Sequence, residues 1–197
     1  STAATGGFAG ATVWMALRYG VARGVFSNEA GLGSSPIAHA AANTNNPAKQ
    51  GMISMLEPLI DTLIVCTITA FVILMSNLWI GEINGAVLTV ASFEQLLSNG
   101  KYIVIFGLIL FSFSTIIGWS YYGEKCAEFL FGSQIIIYYR ILWVIIIPVA
   151  AIIELNLMLR IADIMNGLMA LPNLIALLLL GPMIFIKTKE LKDTFKA

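Results

Sequence analysis

Apolar residues run through this chain in long uninterrupted stretches, not in alternation. Thr62 to Gly81, Tyr102 to Gly123 and Ile164 to Ile186 contain no charged side chain. Each approaches or exceeds the ~20 residues that an α-helix needs to cross ~30 Å of hydrocarbon. Ile135 to Ile153 is a fourth such stretch if Arg140 snorkels near its end. Gly6 to Val25 is a fifth and the weakest, with Arg18 and Arg23 in its second half. The pattern predicts helical spans at about 6–25, 57–79, 102–123, 135–153 and 164–187. Strands of a β-barrel would be shorter and would alternate. The fold class read here is all-α integral membrane, as a single transmembrane domain over 1–197.

The polar connections carry their own signals. Phe26 to Gly51 is rich in Gly, Ser and Asn, and Pro36 followed by Ile37-Ala38-His39 predicts a short helix with Pro in its first turn. Ser92 followed by Glu94 and Gln95 predicts a short outer helix over Phe93 to Leu97. Basic residues set the orientation. With the first span running inward, Arg18, Arg23, Lys49, Lys125, Arg140, Lys187, Lys189, Lys192 and Lys196 collect inside, while only Lys101 and Arg160 stay outside. By the positive-inside rule the C-terminal tail is cytoplasmic and the chain sits in the inner membrane.

Composition sharpens the exclusions. Of 197 residues, 58% are hydrophobic and 11% charged, against about 25% charged in ordinary soluble domains. Eleven basic and eleven acidic residues balance, which leaves no footprint for nucleic acid. Cys66 and Cys126 form neither a disulfide framework nor a metal cluster. No nucleophile elbow, zinc-protease helix or phosphate loop is present, so no enzyme is expected. The opening STAATGG lacks an initiator Met and a charged leader, and is read as a trimmed or partial start.

Several residues could carry chemistry. Gly6 and Gly7 weaken a helix and bare its backbone, as in the broken helices of transporters; close packing by small residues explains them equally. Phe8, Thr12 and Met15 lie at i, i+4 and i+7 on one face. Phe111-Ser112-Phe113-Ser114-Thr115 places three hydroxyls in four positions, Thr115 and Trp119 share a face, and Gly118 leaves room beside the indole. Hydroxyl and carbonyl oxygens suit a hard cation, yet Ser and Thr in spans usually bond back to their own helix. Glu57, Asp61 and Asp163 are read as solvated caps at span ends, His39 as a loop residue without a metal partner, and Pro172, with Asn173 after it, as a kink in the last span.

The run Arg18-Tyr19-Gly20-Val21-Ala22-Arg23-Gly24-Val25-Phe26-Ser27-Asn28-Glu29-Ala30-Gly31-Leu32-Gly33-Ser34-Ser35-Pro36 resembles the signature stretch of the alanine/glycine:cation symporters, the sodium:alanine symporter family. Ala162-Asp163-Ile164-Met165-Asn166-Gly167-Leu168-Met169-Ala170-Leu171-Pro172-Asn173 resembles that family's last span. The resemblance implies a LeuT-type fold, with this chain as the second five-helix inverted repeat (core helices six to ten) and a missing N-terminal half as its partner. It implies sodium-coupled symport of alanine or glycine by alternating access, with sodium as coupling ion and no other cofactor. Gly6, Gly7, Phe8, Thr12, Met15, Thr115, Gly118 and Trp119 would line the substrate site. Phe111, Ser114 and Thr115 would hold sodium, and Asn28 and Glu29 would lie at the inner gate. The alternative is a non-transporting membrane subunit that assembles with a separate N-terminal half.

Overall fold

The computed structural model describes the backbone of residues 2–81, 83 and 85–194, and the side chains of 12–81, 83 and 85–193. The chain forms α1 Thr2–Asn28, α2 Ser35–His39, α3 Pro47–Ser54, α4 Leu56–Leu59, α5 Thr67–Ser76, α6 Gly85–Leu96, α7 Gly100–Phe131, α8 Ile135–Ala151 and α9 Leu155–Thr194. A π-helical stretch, Ile60–Cys66, joins α4 to α5. No strand occurs among the described residues. Among the described residues three helices are long and apolar enough to cross a membrane: Pro47–Ser76, Gly100–Phe131 and Leu155–Asp193. α8 is apolar but shorter.

The contacts divide into two compact units, residues 1–58 with 150–197, and residues 59–149. Neither has the interior of a water-soluble domain. Among the described residues the only buried apolar side chains are Leu32 and Leu191, while Leu178 and Phe185 are about four-fifths exposed. Apolar surface on this scale needs lipid or other helices to cover it.

In the first unit, Asn46 caps α3 by accepting from the Lys49 backbone N–H at 3.0 Å, with Pro47 at the first helical position. Such a cap satisfies an otherwise orphaned donor. The long helix therefore starts ten residues before the expected 57–79 stretch. α1 and the turn after it meet α9 through two polar contacts. Arg23 Nη2 donates to Asp163 Oδ2 at 3.0 Å, and Asn173 Nδ2 donates to the Gly31 carbonyl at 3.0 Å. These contacts ascend together along both segments, so the two run in the same direction. That changes the reading of Asp163, which is an ion-pair partner of α1 and not a lone cap. It also brings residue 163, expected at the outer end of one span, level with residue 23, expected at the inner end of another. α9 is about 60 Å long at 1.5 Å per residue, roughly twice the hydrocarbon thickness, so which part of it lies in the bilayer is a matter of register.

The second unit is built of sequence-adjacent helices. α5 ends at Ser76, where Asn77 takes the left-handed conformation. The Ser76 and Ser92 hydroxyls meet at 2.9 Å, and both side chains are buried. Ser92 thus lies inside α6, which starts at Gly85; the expected helix start at Ser92 is corrected by seven residues. The hydroxyl signals burial against α5, not capping. At the corner into α7, the Glu94 carboxylate accepts from the Lys101 backbone N–H at 3.1 Å and from its ammonium at 3.0 Å. Those hydrogen bonds, the backbone one foremost, hold the Glu94 carboxyl below the ordinary carboxylate range. Gly100 is required there, since a Cβ would overlap the Phe93 carbonyl oxygen. Glu124 accepts from Arg140 Nε and Nη2, along one edge of the guanidinium, at 2.6 and 2.9 Å, and ties α7 to α8.

Candidate functional site

The expected substrate and sodium positions fall on α1 in one unit and on α7 in the other. On α7, Ser114 Oγ donates to the Phe111 carbonyl at 3.0 Å. This is the back-bond to the preceding turn that an apolar helix imposes on serine. It also sets two oxygens of the expected sodium set side by side. Thr115 follows on the same turn. One turn later, Trp119 meets Tyr122 edge-to-face, with centroids 6.0 Å apart. A Cβ at Gly118 would meet nothing within 4 Å, so the face carrying Thr115, Gly118 and Trp119 is open beside the indole. Hydroxyl and carbonyl oxygens beside an aromatic wall together can hold a cation and confine a small side chain.

On α1 the backbone is helical from Thr2 to Asn28, through Gly6 and Gly7. The unwinding implied for the glycine pair is therefore corrected. A helix satisfies each backbone group internally, and one glycine costs it only about 1 kcal/mol relative to Ala. The side chain of Phe8 lies outside the described residues. Thr12 and Met15 are exposed, Met15 at 55%.

The turn after α1 has more definition than its sequence suggests. Glu29 adopts φ 51°, a left-handed conformation uncommon for a side chain with a Cβ. Gly31 and Gly33 follow at φ 80° and 84°. Leu32 between them is buried, and so is Ser34. Asn173 from α9 grips this turn. Its amide nitrogen donates to Gly31, while its side-chain oxygen lies 2.9 Å from where a Cβ on Gly33 would stand. Asn28 and Glu29, expected at a gate, thus sit on a strained turn clamped by a second helix. Asn173 was legible only as a neighbour of Pro172; nothing in the local pattern points to a partner 142 residues away.

Two further groupings carry no local signal in the sequence. A cavity of about 340 Å³ lies between α1 and α9, lined by Arg18, Tyr19, Asp163, Asn166 and Gly167 among others. His39 is not isolated: Gln50 Nε2 lies 2.9 Å from its Nδ1, and Glu57 Oε2 lies 3.6 Å from its Nε2. Glu57 is therefore the neighbour of the only histidine and not merely a span cap. Among the described residues no group of three His, Cys, Asp or Glu is arranged to hold a metal.

The sequence profile of the sodium:alanine symporter family matches residues 1–197. A sodium/alanine symporter, AgcS, from Methanococcus maripaludis is 48% identical over 191 residues, 95% of this chain and 42% of that protein. An uncharacterized transporter of Haemophilus influenzae is 49% identical over the same length and coverage. A probable sodium/glutamine symporter, GlnT, of Bacillus subtilis is 40% identical over 193 residues, 96% of this chain and 40% of that protein. The chain thus spans about two-fifths of the length of these relatives. With a match over its whole length and near-half identity to a sodium/alanine symporter, this chain belongs to the sodium:alanine symporter family of transporters.

Proposed function

We propose that this chain serves sodium-coupled symport of a small neutral amino acid, alanine or glycine, by alternating access in the inner membrane, and that it performs no catalysis. The observation that carries the reading is the family match over residues 1–197. The open face of α7 supports it. Phe111 O and Ser114 Oγ, with Thr115, form the oxygen set for the ion, and Trp119 limits the side chain. Gly118 leaves space for the substrate between them. The family resemblance assigns Gly6, Gly7, Phe8, Thr12 and Met15 of α1 as further substrate-lining residues, in a LeuT-type fold of a single transmembrane domain. Asn28 and Glu29 lie on the inner side with a cytoplasmic C-terminus. An indole wall supplies about 1–3 kcal/mol of selectivity per methylene, enough to prefer alanine over bulkier amino acids.

Coupling requires that sodium bind the substrate-competent state better than the other, since a ligand shifts an equilibrium only by its differential affinity. Reciprocity then ties the two affinities together. The test is radiolabelled L-alanine uptake by proteoliposomes carrying the native gene product, with an inward sodium gradient or with choline. Sodium-driven accumulation is expected; equal uptake in choline overturns the reading. Thr115→Val keeps shape and removes one oxygen, so sodium and alanine affinities should fall together, by about tenfold for a loss of ~1.4 kcal/mol. Trp119→Ala should admit leucine with sodium affinity little changed. If both variants keep the native sodium dependence and substrate ranking, these two residues only pack helices.

A further inference from the structure

The cavity between α1 and α9 holds a charge pattern that packing does not require. Arg18 and Asp163 both line it, with the Asn166 amide beside them, in about 340 Å³. Asp163 gives one oxygen, Oδ2, to Arg23. Its side chain remains 44% exposed, and no hydrogen bond to Oδ1 is present among the described residues. Arg18 makes no ion pair or hydrogen bond among the described residues. The cavity therefore presents one uncompensated guanidinium and one half-used carboxylate across a space within the range of small-molecule sites. A guanidinium binds carboxylate through a planar fork of donors, and a carboxylate with a free oxygen accepts from an ammonium.

We infer that this cavity is a second amino-acid site, separate from the α7 face, that binds the zwitterionic backbone of a free amino acid. Arg18 takes the carboxylate, and Asp163 and Asn166 take the ammonium. Tyr19 closes one side. Gly167 leaves the floor open, since a Cβ there would meet nothing within 4 Å. The site contains no cluster of hydroxyl and carbonyl oxygens like that on α7, so binding here is independent of sodium. The identity of the amino acid as alanine rests on the proposed function; the charge pattern does not. Zwitterionic lipid headgroups share this chemistry, and the test separates them.

The experiment is equilibrium binding of radiolabelled L-alanine to the native gene product in phosphatidylglycerol nanodiscs, in choline buffer without sodium. Sodium-free binding is expected. It should weaken at least tenfold in Arg18→Gln and less in Arg18→Lys, which keeps the charge but loses the planar fork. It should be unchanged in Thr115→Val. Propionate, which lacks the ammonium, and alaninamide, which lacks the carboxylate, should each compete at least tenfold more weakly than alanine. Gly167→Leu fills the cavity without touching a charge and should also abolish binding, which keeps the test usable if Arg18→Gln does not fold. Absence of sodium-free binding, or equal binding by Arg18→Gln, overturns the site. Loss of alanine binding when half the lipid is replaced by phosphatidylethanolamine assigns the cavity to headgroups and also overturns it. Wild-type uptake that ignores sodium, with sodium-free binding intact, sinks the coupled-transport reading and leaves this site standing.

Discussion

The two compact units are held by polar contacts of opposite range. In residues 59–149 the tying groups are near neighbours in sequence: Ser76 with Ser92, Glu94 with Lys101, Glu124 with Arg140. In residues 1–58 with 150–197 His39 meets Gln50 and Glu57 nearby, but the contacts that join the two stretches are far apart: Arg23 with Asp163 and Asn173 with Gly31, separated by 140 and 142 positions. Short-range contacts lock hairpins of helices whatever the rest of the chain does. Long-range ones form only when α1 and α9 have found each other, and they converge on the turn that carries Asn28 and Glu29. The Glu29 turn, the charged cavity and the amide clamp all lie in the long-range unit. The hydroxyl face of α7 lies in the unit that folds from local signals.

Gly33 offers the strongest break. Gly33→Val forces a β-branched residue to φ 84° and drives its Cβ against Asn173. The strain costs about 1–3 kcal/mol and the overlap about 1–3 kcal/mol more. Gly31→Val, at φ 80° with nothing within 4 Å, should incur only the first. Thermal unfolding in detergent that shows equal losses for the two would remove Asn173 from the clamp.

On the other side of the comparison, Ser92→Ala leaves the Ser76 hydroxyl with its bond to the Ile73 carbonyl and the Leu78 backbone N–H that donates to it. A loss of about 1 kcal/mol is expected, with no effect on the α1–α9 contacts. If Ser92→Ala instead changes proteolysis at the Gly31 turn, the two units are coupled more tightly than their contacts imply.

Next in size is the Arg23–Asp163 pair, which a double-mutant cycle isolates. For side chains 37% and 44% exposed, the coupling expected in water is about 0.2–1 kcal/mol. A larger value in nanodiscs than in detergent would show that the pair lies within hydrocarbon, where an unpaired charge is costly. That result would also fix the register of α9 in the bilayer.

The smallest effect is the pH response of the α6–α7 corner. Glu94 titrates below its ordinary range because Lys101 donates to it. Its contribution is therefore complete above the unfolded carboxylate value of about 4.3 and fades as pH falls through the lower folded value. Glu94→Gln should flatten that acid limb slightly. An unchanged limb would mean the contact is too solvated to matter.

Membrane character, helical class and family were all legible in the chain itself. Uninterrupted apolar runs admit no other reading, because hydrocarbon accepts only internally hydrogen-bonded backbone, and Phe26 to Pro36 carries a family signature in consecutive residues. The back-bonding of Ser114 was legible too, since it is satisfied within one turn. What tertiary structure alone decided were the pairings. Asp163 read as a cap, Asn173 as the neighbour of a kink and Ser92 as a helix start, because each has a local role available within four residues. Their actual partners are Arg23, Gly31 and Ser76, two of them some 140 positions away. Helical periodicity records which face a residue occupies and not which helix will lie against it. Two polar groups 140 residues apart gain their hydrogen bond only after α1 and α9 have packed, so local pattern carries no trace of it.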